Sequence, residues 1–190
     1  MRGQEPMFVK VCGLTTEEQI DWAVELGYSA IGVVGTAKSK RYVEPARARE
    51  LAAYARGRIR SFVVAFDRTE VAEVIGDFDV IQLYNWTDLP NLAYCSAVAP
   101  APEQVCEYFF YDASTGSGVF AEFPDWLEKI PGQVVLAGGL SPDNVAEVIT
   151  THRPFGVDVS SSVETAPGIK SFDAMSRFKQ AVDSAAEPGA

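Results

Sequence analysis

Short apolar runs alternate along this chain with segments whose apolar residues recur every third or fourth position. Phe8–Cys12 reads as a buried strand, after which Thr15-Thr16-Glu17-Glu18 opens a helix with Ile20, Ala23, Val24 and Leu26 at helical spacing and Gly27 at its end. Residues 29–34, 59–66 and 79–83 have strand character, while Pro45–Ala55 and 69–75 are helical. Residues 92–98 could form a further strand, yet only 85–91 separate them from the one before, and a parallel crossover usually needs about a dozen residues. Either a helix has been lost there or 92–98 is not a strand. Beyond it the pattern predicts one helical turn at 102–106, a strand at 107–112, a short helix at Asp125–Lys129 and a strand at Gln133–Ala137. A helix at 142–150, a strand at 155–159 and a last helix at 172–183 complete the alternation. Strands alternating with helices imply a parallel α/β architecture. Eight pairs, one of them defective, favour a (β/α)8 TIM barrel over a doubly wound sheet. The barrel expected is slightly reduced, with the helix after strand 4 short or missing.

At 190 residues, 47% hydrophobic and 22% charged, the chain reads as one globular domain over 1–184 with a flexible tail at 185–190. A net charge of −10 argues against nucleic acid or an anionic membrane as a partner, so an anionic small ligand would need local donors. Cys12, Cys95 and Cys106 form no CxxC pair and have no histidine at metal spacing, which suggests neither a disulfide framework nor a metal site. Residues 1–6 lack the apolar stretch of a signal peptide, and no apolar run is long enough for a membrane span. A cytoplasmic location is the expectation.

In a barrel of this kind chemistry belongs at the C-terminal ends of the strands. Those ends offer Cys12, Lys38 and Arg41 after Val34, then Asp67, Gln82, Asp112, Gly138 and Ser160. Gly138 and Gly139 let a ligand approach the backbone, Ser141-Pro142 reads as a helix N-cap followed by a first-turn proline, and Ser160 and Ser161 add donors at the next strand end. Side by side, the two strand ends could cradle a phosphate. An ordinary tight turn and a solvated serine loop would use the same residues.

Val9-Lys-Val-Cys-Gly-Leu-Thr15, Lys38-Ser-Lys-Arg-Tyr-Val43, Val80-Ile-Gln-Leu83, Leu136-Ala-Gly-Gly-Leu-Ser-Pro-Asp-Asn-Val145 and Pro154-Phe-Gly-Val-Asp-Val-Ser-Ser161 occur in this order, followed by Val163-Glu164 and Pro167-Gly168. Across nearly the whole chain this series resembles the phosphoribosylanthranilate isomerases of tryptophan biosynthesis. The resemblance implies an aldose-ketose isomerase acting by an Amadori rearrangement, with Cys12 as the base that removes the C2 proton and Asp112 as the acid that protonates the ring oxygen. It further implies Arg41, Gln82, Gly138, Gly139, Asp158, Ser160 and Ser161 as substrate-binding residues, Arg41 toward the anthranilate and the glycines and serines toward the phosphate. A phosphorylated small molecule would be the partner, a monomer or homodimer the working form, and no cofactor is needed because the reaction is proton transfer. Three features depart from the family pattern. Tyr84-Asn85 stands where His-Gly is usual, the interval from Gln82 to Asp112 is short, and in the glycine-rich loop after Asp112 Val119 replaces a common lysine while Ser162 replaces a glycine after Ser161.

These roles are chemically reasonable on their own. A thiol of ordinary pKa, about 8.5, needs help to act as a base near neutrality. Lys10 is expected on the opposite face of its strand, which leaves that help to loops or substrate. An aspartate acting as an acid has to be shielded, because an ordinary carboxyl is ionised at pH 7. Against these stand plainer fates: a buried core cysteine for Cys12, a cap for Asp112, a solvated charge for Arg41 and a surface cation at a helix end for His152. A paralogue acting on another phosphorylated aminosugar, or a barrel that only binds a phosphorylated metabolite, would carry most of the same residues.

Overall fold

The computed structural model describes residues 6–112 and 123–186. Its elements are β1 (Phe8–Cys12), α1 (Glu17–Glu25), β2 (Ala30–Val34), α2 (Pro45–Ala55), β3 (Arg60–Ala65), β4 (Val80–Leu83), β5 (Leu92–Ser96) and β6 (Tyr108–Asp112). There follow β7 (Gln133–Ala137), α3 (Val145–His152), β8 (Gly156–Val159), the short strands β9 (Glu164–Ala166) and β10 (Ile169–Lys170), and α4 (Phe172–Ala186). Strands β1 to β8 pair in sequence order, every neighbour parallel, and β8 returns to β1, so the sheet is a closed eight-stranded barrel. The strand period of two sorts side chains to its two faces. Along β1, Val9 and Val11 join the core beneath the helices, while Phe8 and Cys12 join the clusters of the barrel interior.

Local chemistry sets the long helices. Thr16 caps α1, its hydroxyl accepting the Gln19 N–H, and Pro45 supplies the preset first turn of α2. Alpha4 packs on α3 and α1, and the Tyr28 hydroxyl donates to the Met175 carbonyl at 2.9 Å, which ties the α1–β2 loop to that last helix.

The reduction goes further than the sequence suggests. Residues 92–98 do contain a strand, β5, parallel to β4, and no helix lies between the two. Residues 69–75 form only a 3-10 turn at Arg68–Val71, which Asp67 and Glu70 cap at its start, and the chain goes on in three-residue turns, Val74 N–H donating to the Val71 carbonyl and Asp77 N–H to the Val74 carbonyl. Residues 102–106, expected as a helical turn, form an irregular turn, and Asp125–Lys129 is a 3-10 turn. Aromatic side chains cover the strands left without helices. Trp86 meets Tyr94 edge-on at 5.5 Å, Trp126 packs on Phe109 and Tyr111, and Phe123 packs on Tyr111. Rings of this size bury enough area for a few of them to seal a strand face.

Two further differences lie near the last strands. The helix expected from Pro142 begins at Val145, because the Asn144 side chain accepts the Ser141 N–H at 2.8 Å and donates to the Gly139 carbonyl at 3.0 Å, folding 141–144 into a turn. The β9–β10 hairpin, absent from the sequence reading, is held to the loop after β1 by Thr15 and Gln19, whose side chains donate to the Gly168 carbonyl at 2.7 and 3.0 Å. The last helix runs on to Ala186, past the 184/185 boundary; of the expected tail, residues 187–190 lie outside the described part, as does the glycine-rich loop at 114–118 with Val119.

Barrel closure at β8 depends on one missing side chain. A Cβ at Gly156 would stand 2.4 Å from the Phe8 carbonyl oxygen and 2.8 Å from Phe8 ring and Cβ atoms. Backbone cannot yield as a flexible side-chain tip can, so Gly156→Ala is expected to cost about 1–3 kcal/mol, read as a lowered urea midpoint.

Candidate active site

A cavity of about 370 Å³ opens at the C-terminal ends of the strands. Every site residue expected from the sequence borders it: Cys12 from β1, Arg41 from the loop after β2, Gln82 from β4, Asp112 from β6, Gly138 and Gly139 after β7, Asp158 from β8, and Ser160 and Ser161 after it. Asp67 does not border it; its carboxylate accepts the Asn85 side-chain N–H at 2.9 Å. His152 also lies elsewhere, at the end of α3 with its ring edge-on to Phe123.

Beneath the cavity, behind Asp158, lies a buried ion pair that the sequence alone does not announce. Lys10 has no exposure to solvent, and its ammonium donates to Asp158 Oδ2 at 3.0 Å while lying 5.5 and 5.1 Å from the centroids of Phe62 and Phe110. The expectation that Lys10 faces away from Cys12 is therefore wrong. Residues i and i+2 of a strand share a face, and the Lys10 ammonium and the Cys12 thiol both stand against Gly32 on the neighbouring strand. Burial alone would push the ammonium down, but Asp158 and Cys12 outweigh it and hold Lys10 above its ordinary value. Burial likewise pushes the Cys12 thiol up, and Lys10 pulls it the other way. Room for both comes from Gly32, which pairs with Cys12: a Cβ there would lie 2.9 Å from the thiol sulfur and 3.2 Å from the Lys10 ammonium nitrogen.

At the rim, Arg41 lies across Gly13, whose φ of +83° and lack of a Cβ both suit the turn. Its Nε and Nη2 grip Glu164 in a fork of 2.7 to 3.1 Å. The other side of that carboxylate takes the Lys170 ammonium at 2.7 Å, which also donates to the Ser160 carbonyl at 3.0 Å. Burial would raise the Glu164 carboxyl, but Arg41 and Lys170 hold it below the ordinary range.

The β7 and β8 ends stand together. Gly138 and Gly139 both have positive φ, +89° and +71°, and Asn144 fixes the carbonyl of the second. Ser160 donates its hydroxyl to the Cys12 carbonyl at 3.0 Å, and Ser162 donates to the Leu140 carbonyl at 2.6 Å, bridging the two strand ends. The donors expected from a helix starting at Pro142 are displaced to Val145. Two buried acceptors at the cavity, Gln82 Oε1 and Asp158 Oδ1, have no hydrogen-bond partner among the described residues. On the wall, Tyr84 donates its hydroxyl to Asp112 Oδ2 at 2.9 Å; burial, with Cys95 and Asp112 beside it, pushes the phenol well up and keeps it a donor. Among the described residues no group of His, Cys, Asp or Glu is arranged to hold a metal ion, and no helix is long and apolar enough to cross a membrane.

A closed parallel barrel with its ionisable cavity at the carboxyl ends of the strands places the chain among the (β/α)8 barrel proteins. Residues 9–181 match the family of N-(5'-phosphoribosyl)anthranilate (PRA) isomerases. The isomerase of that name from Rhizobium leguminosarum bv. trifolii is 33% identical over 214 residues, covering 95% of this chain and 96% of its own. That alignment is longer than the chain, as trimmed connections require. TrpF from Jonesia denitrificans superposes with a TM-score of 0.82 at 32% identity over 96% of this chain and all of its own. A phosphoribosyl anthranilate isomerase in complex with reduced 1-(o-carboxyphenylamino)-1-deoxyribulose 5-phosphate superposes with a TM-score of 0.73 at 28% identity, covering 94% of this chain and 99% of its own. The chain belongs to the phosphoribosylanthranilate isomerase family.

Glu164 gives a pH signature. Its folded-state pKa is depressed below the ordinary 4.5, so its stabilisation is present above that pH and is lost as pH falls through the folded value. Urea unfolding of wild type should therefore weaken below pH 4.5 more steeply than that of Glu164→Gln. At pH 7 the variant is expected to be less stable by about 2 kcal/mol or more, with two cations left short of a partner.

Proposed function

We propose that this chain catalyses the Amadori rearrangement of N-(5'-phosphoribosyl)anthranilate to 1-(2-carboxyphenylamino)-1-deoxyribulose 5-phosphate, with Cys12 as general base and Asp112 as general acid. The observation that carries the reading is the thiol on β1 and the carboxyl on β6 bordering one cavity whose β7 and β8 edge is a glycine-serine corner. Asp112 gives its proton to the ribose ring oxygen as the C1–O bond breaks and the aniline nitrogen lone pair forms the C1=N bond. The Cys12 thiolate takes the C2 proton, and those electrons form a C1=C2 double bond while the C1=N electrons return to nitrogen. The enol then tautomerises, C1 gaining a proton from the Cys12 thiol and the C2 hydroxyl giving one to the Asp112 carboxylate, which leaves the aminoketose and restores both groups for the next turnover.

The other residues bind and orient. Gly138, Gly139, Ser160 and Ser161 hold the phosphate at the two strand ends, where backbone and hydroxyl donors replace the attraction that the chain's net charge of −10 denies an anion. Gln82 Oε1 and Asp158 Oδ1, buried acceptors without partners among the described residues, accept from the sugar hydroxyls. Arg41, preset by Glu164, borders the space for the anthranilate. Lys10 favours the thiolate form of Cys12 from beneath. Neither nucleic acid nor a membrane enters this reading, and acid and base lie on one chain, so a monomer or a homodimer can serve. Free Cys12, Cys95 and Cys106 suit the reducing cytoplasm.

The decay of phosphoribosylanthranilate fluorescence with purified wild type, Cys12→Ser and Asp112→Asn tests the reading. Turnover by wild type and losses of about 10²-fold or more in each variant are expected. A folded wild type without turnover would turn the cavity over to another phosphorylated aminosugar or to binding alone.

A further inference from the structure

We infer that Tyr84 is the positioning residue for Asp112: its phenol O–H fixes the carboxyl group at the cavity wall and stabilises the carboxylate left when the proton is transferred. This rests on the reading of Asp112 as the acid. The hydroxyl lies 2.9 Å from Asp112 Oδ2, although the two residues come from strands β4 and β6, with β5 between them. Cys95, which fills the intervening strand's inward position, is the hydroxyl's other neighbour.

The phenol is presented rigidly. The Tyr84 N–H donates to the Ala65 carbonyl at 3.3 Å and the Asn85 N–H to the Phe66 carbonyl at 2.9 Å, while the Asn85 side chain is held by Asp67. The Tyr84 ring packs on Phe66 with centroids 5.2 Å apart and touches both the lower interior cluster and the Cys12, Val34 and Val64 cluster at the mouth. A residue needed only to fill that space would lose nothing as phenylalanine. Among the described residues, the charged groups near the Tyr84–Asp112 pair include Asp158 from β8 and, through Cys95 and Asp158, Lys10 from β1, and the Tyr84 hydroxyl donates to Asp112 without adding charge of its own.

Tyr84→Phe keeps the ring and removes only the donor. Loss of a hydrogen bond to a charged group is expected to lower kcat about tenfold to a hundredfold, with KM changed less than about twofold and the thermal midpoint kept. In an Asp112→Asn background the same change should cost less than about a further twofold, because Tyr84 acts through that carboxyl. Wild-type kcat in Tyr84→Phe, or an equal further loss in the Asp112→Asn background, overturns the assignment. The carboxyl carbon NMR resonance of Asp112 supplies a readout independent of turnover. If wild type fails to isomerise phosphoribosylanthranilate, the isomerase reading falls, while the resonance still decides the contact: displacement by Tyr84→Phe supports it, and an unmoved line overturns it.

Discussion

A lysine ammonium shut away from water stands at the centre of this barrel, and much of the interior is arranged to accommodate it. Taking a charge out of water costs several kcal/mol even after relaxation, so Lys10 persists only because Asp158 is 3.0 Å away and two aromatic faces lie within 5.5 Å. Each partner then constrains something else. Asp158 is on β8 and Lys10 on β1, so the ion pair spans the seam at which the barrel closes. Beta2 must carry a glycine at position 32, since any side chain there would meet the ammonium and the thiol together. Phe62 and Phe110, on β3 and β6, hand the constraint across the interior to the strand that ends in Asp112. A core built for one cation thus sets the places of both groups proposed to move protons.

The outside of the barrel answers a different constraint, that of covering eight strands with a short chain. Among the described residues four helices shield only part of the circumference, and β5 and β6 are shielded by Trp86, Trp126 and Phe123 packed on Tyr94, Phe109 and Tyr111. Parallel strands need both faces buried, and a helix is the usual cover because a crossover has to travel the length of the sheet anyway. Where the connection is cut to a loop, large flat side chains supply the area that a helical turn would. The trimming leaves the strand ends in register, which is why the cavity is complete although the connections beside it are not.

The alternation of strands and helices is legible because period two and period three to four differ over even one short element. Strand ends are legible as well, and with them Cys12, Gln82, Asp112, Gly138 and Ser160. Short turns are not: Val71, Val74 and Ile75 have helical spacing whether the segment makes two α-helical turns or, as here, one 3-10 turn followed by separate three-residue turns. Lys10 is legible by the same period, since alternation along β1 places it on the face of Cys12, but its ion pair with Asp158 is not. Partners far apart in sequence leave no local trace. Arg41 and Glu164 stand 123 positions apart, and nothing about either residue alone announces the fork between them. Tyr84 was visible only as an oddity in a family pattern, its meaning set by an aspartate two strands away.

The two ends of the proposed proton path treat charge in opposite ways, and that opposition suits the chemistry. At Cys12 a cation lies beneath the thiol and favours the form that accepts a proton. At Asp112 a neutral phenol donates to the carboxyl and brings no charge of its own. Burial resists the Cys12 thiolate, which keeps the thiol from being committed to its charged form before substrate arrives. A thiolate with a carboxylic acid and a thiol with a carboxylate carry the same single negative charge, so the pair can pass through ring opening and C2 deprotonation without any change in the net charge of a low-dielectric cavity. A field made by one fixed ion pair can serve such a cycle throughout, because only the position of the charge moves, from the wall above Lys10 to the wall beside Tyr84.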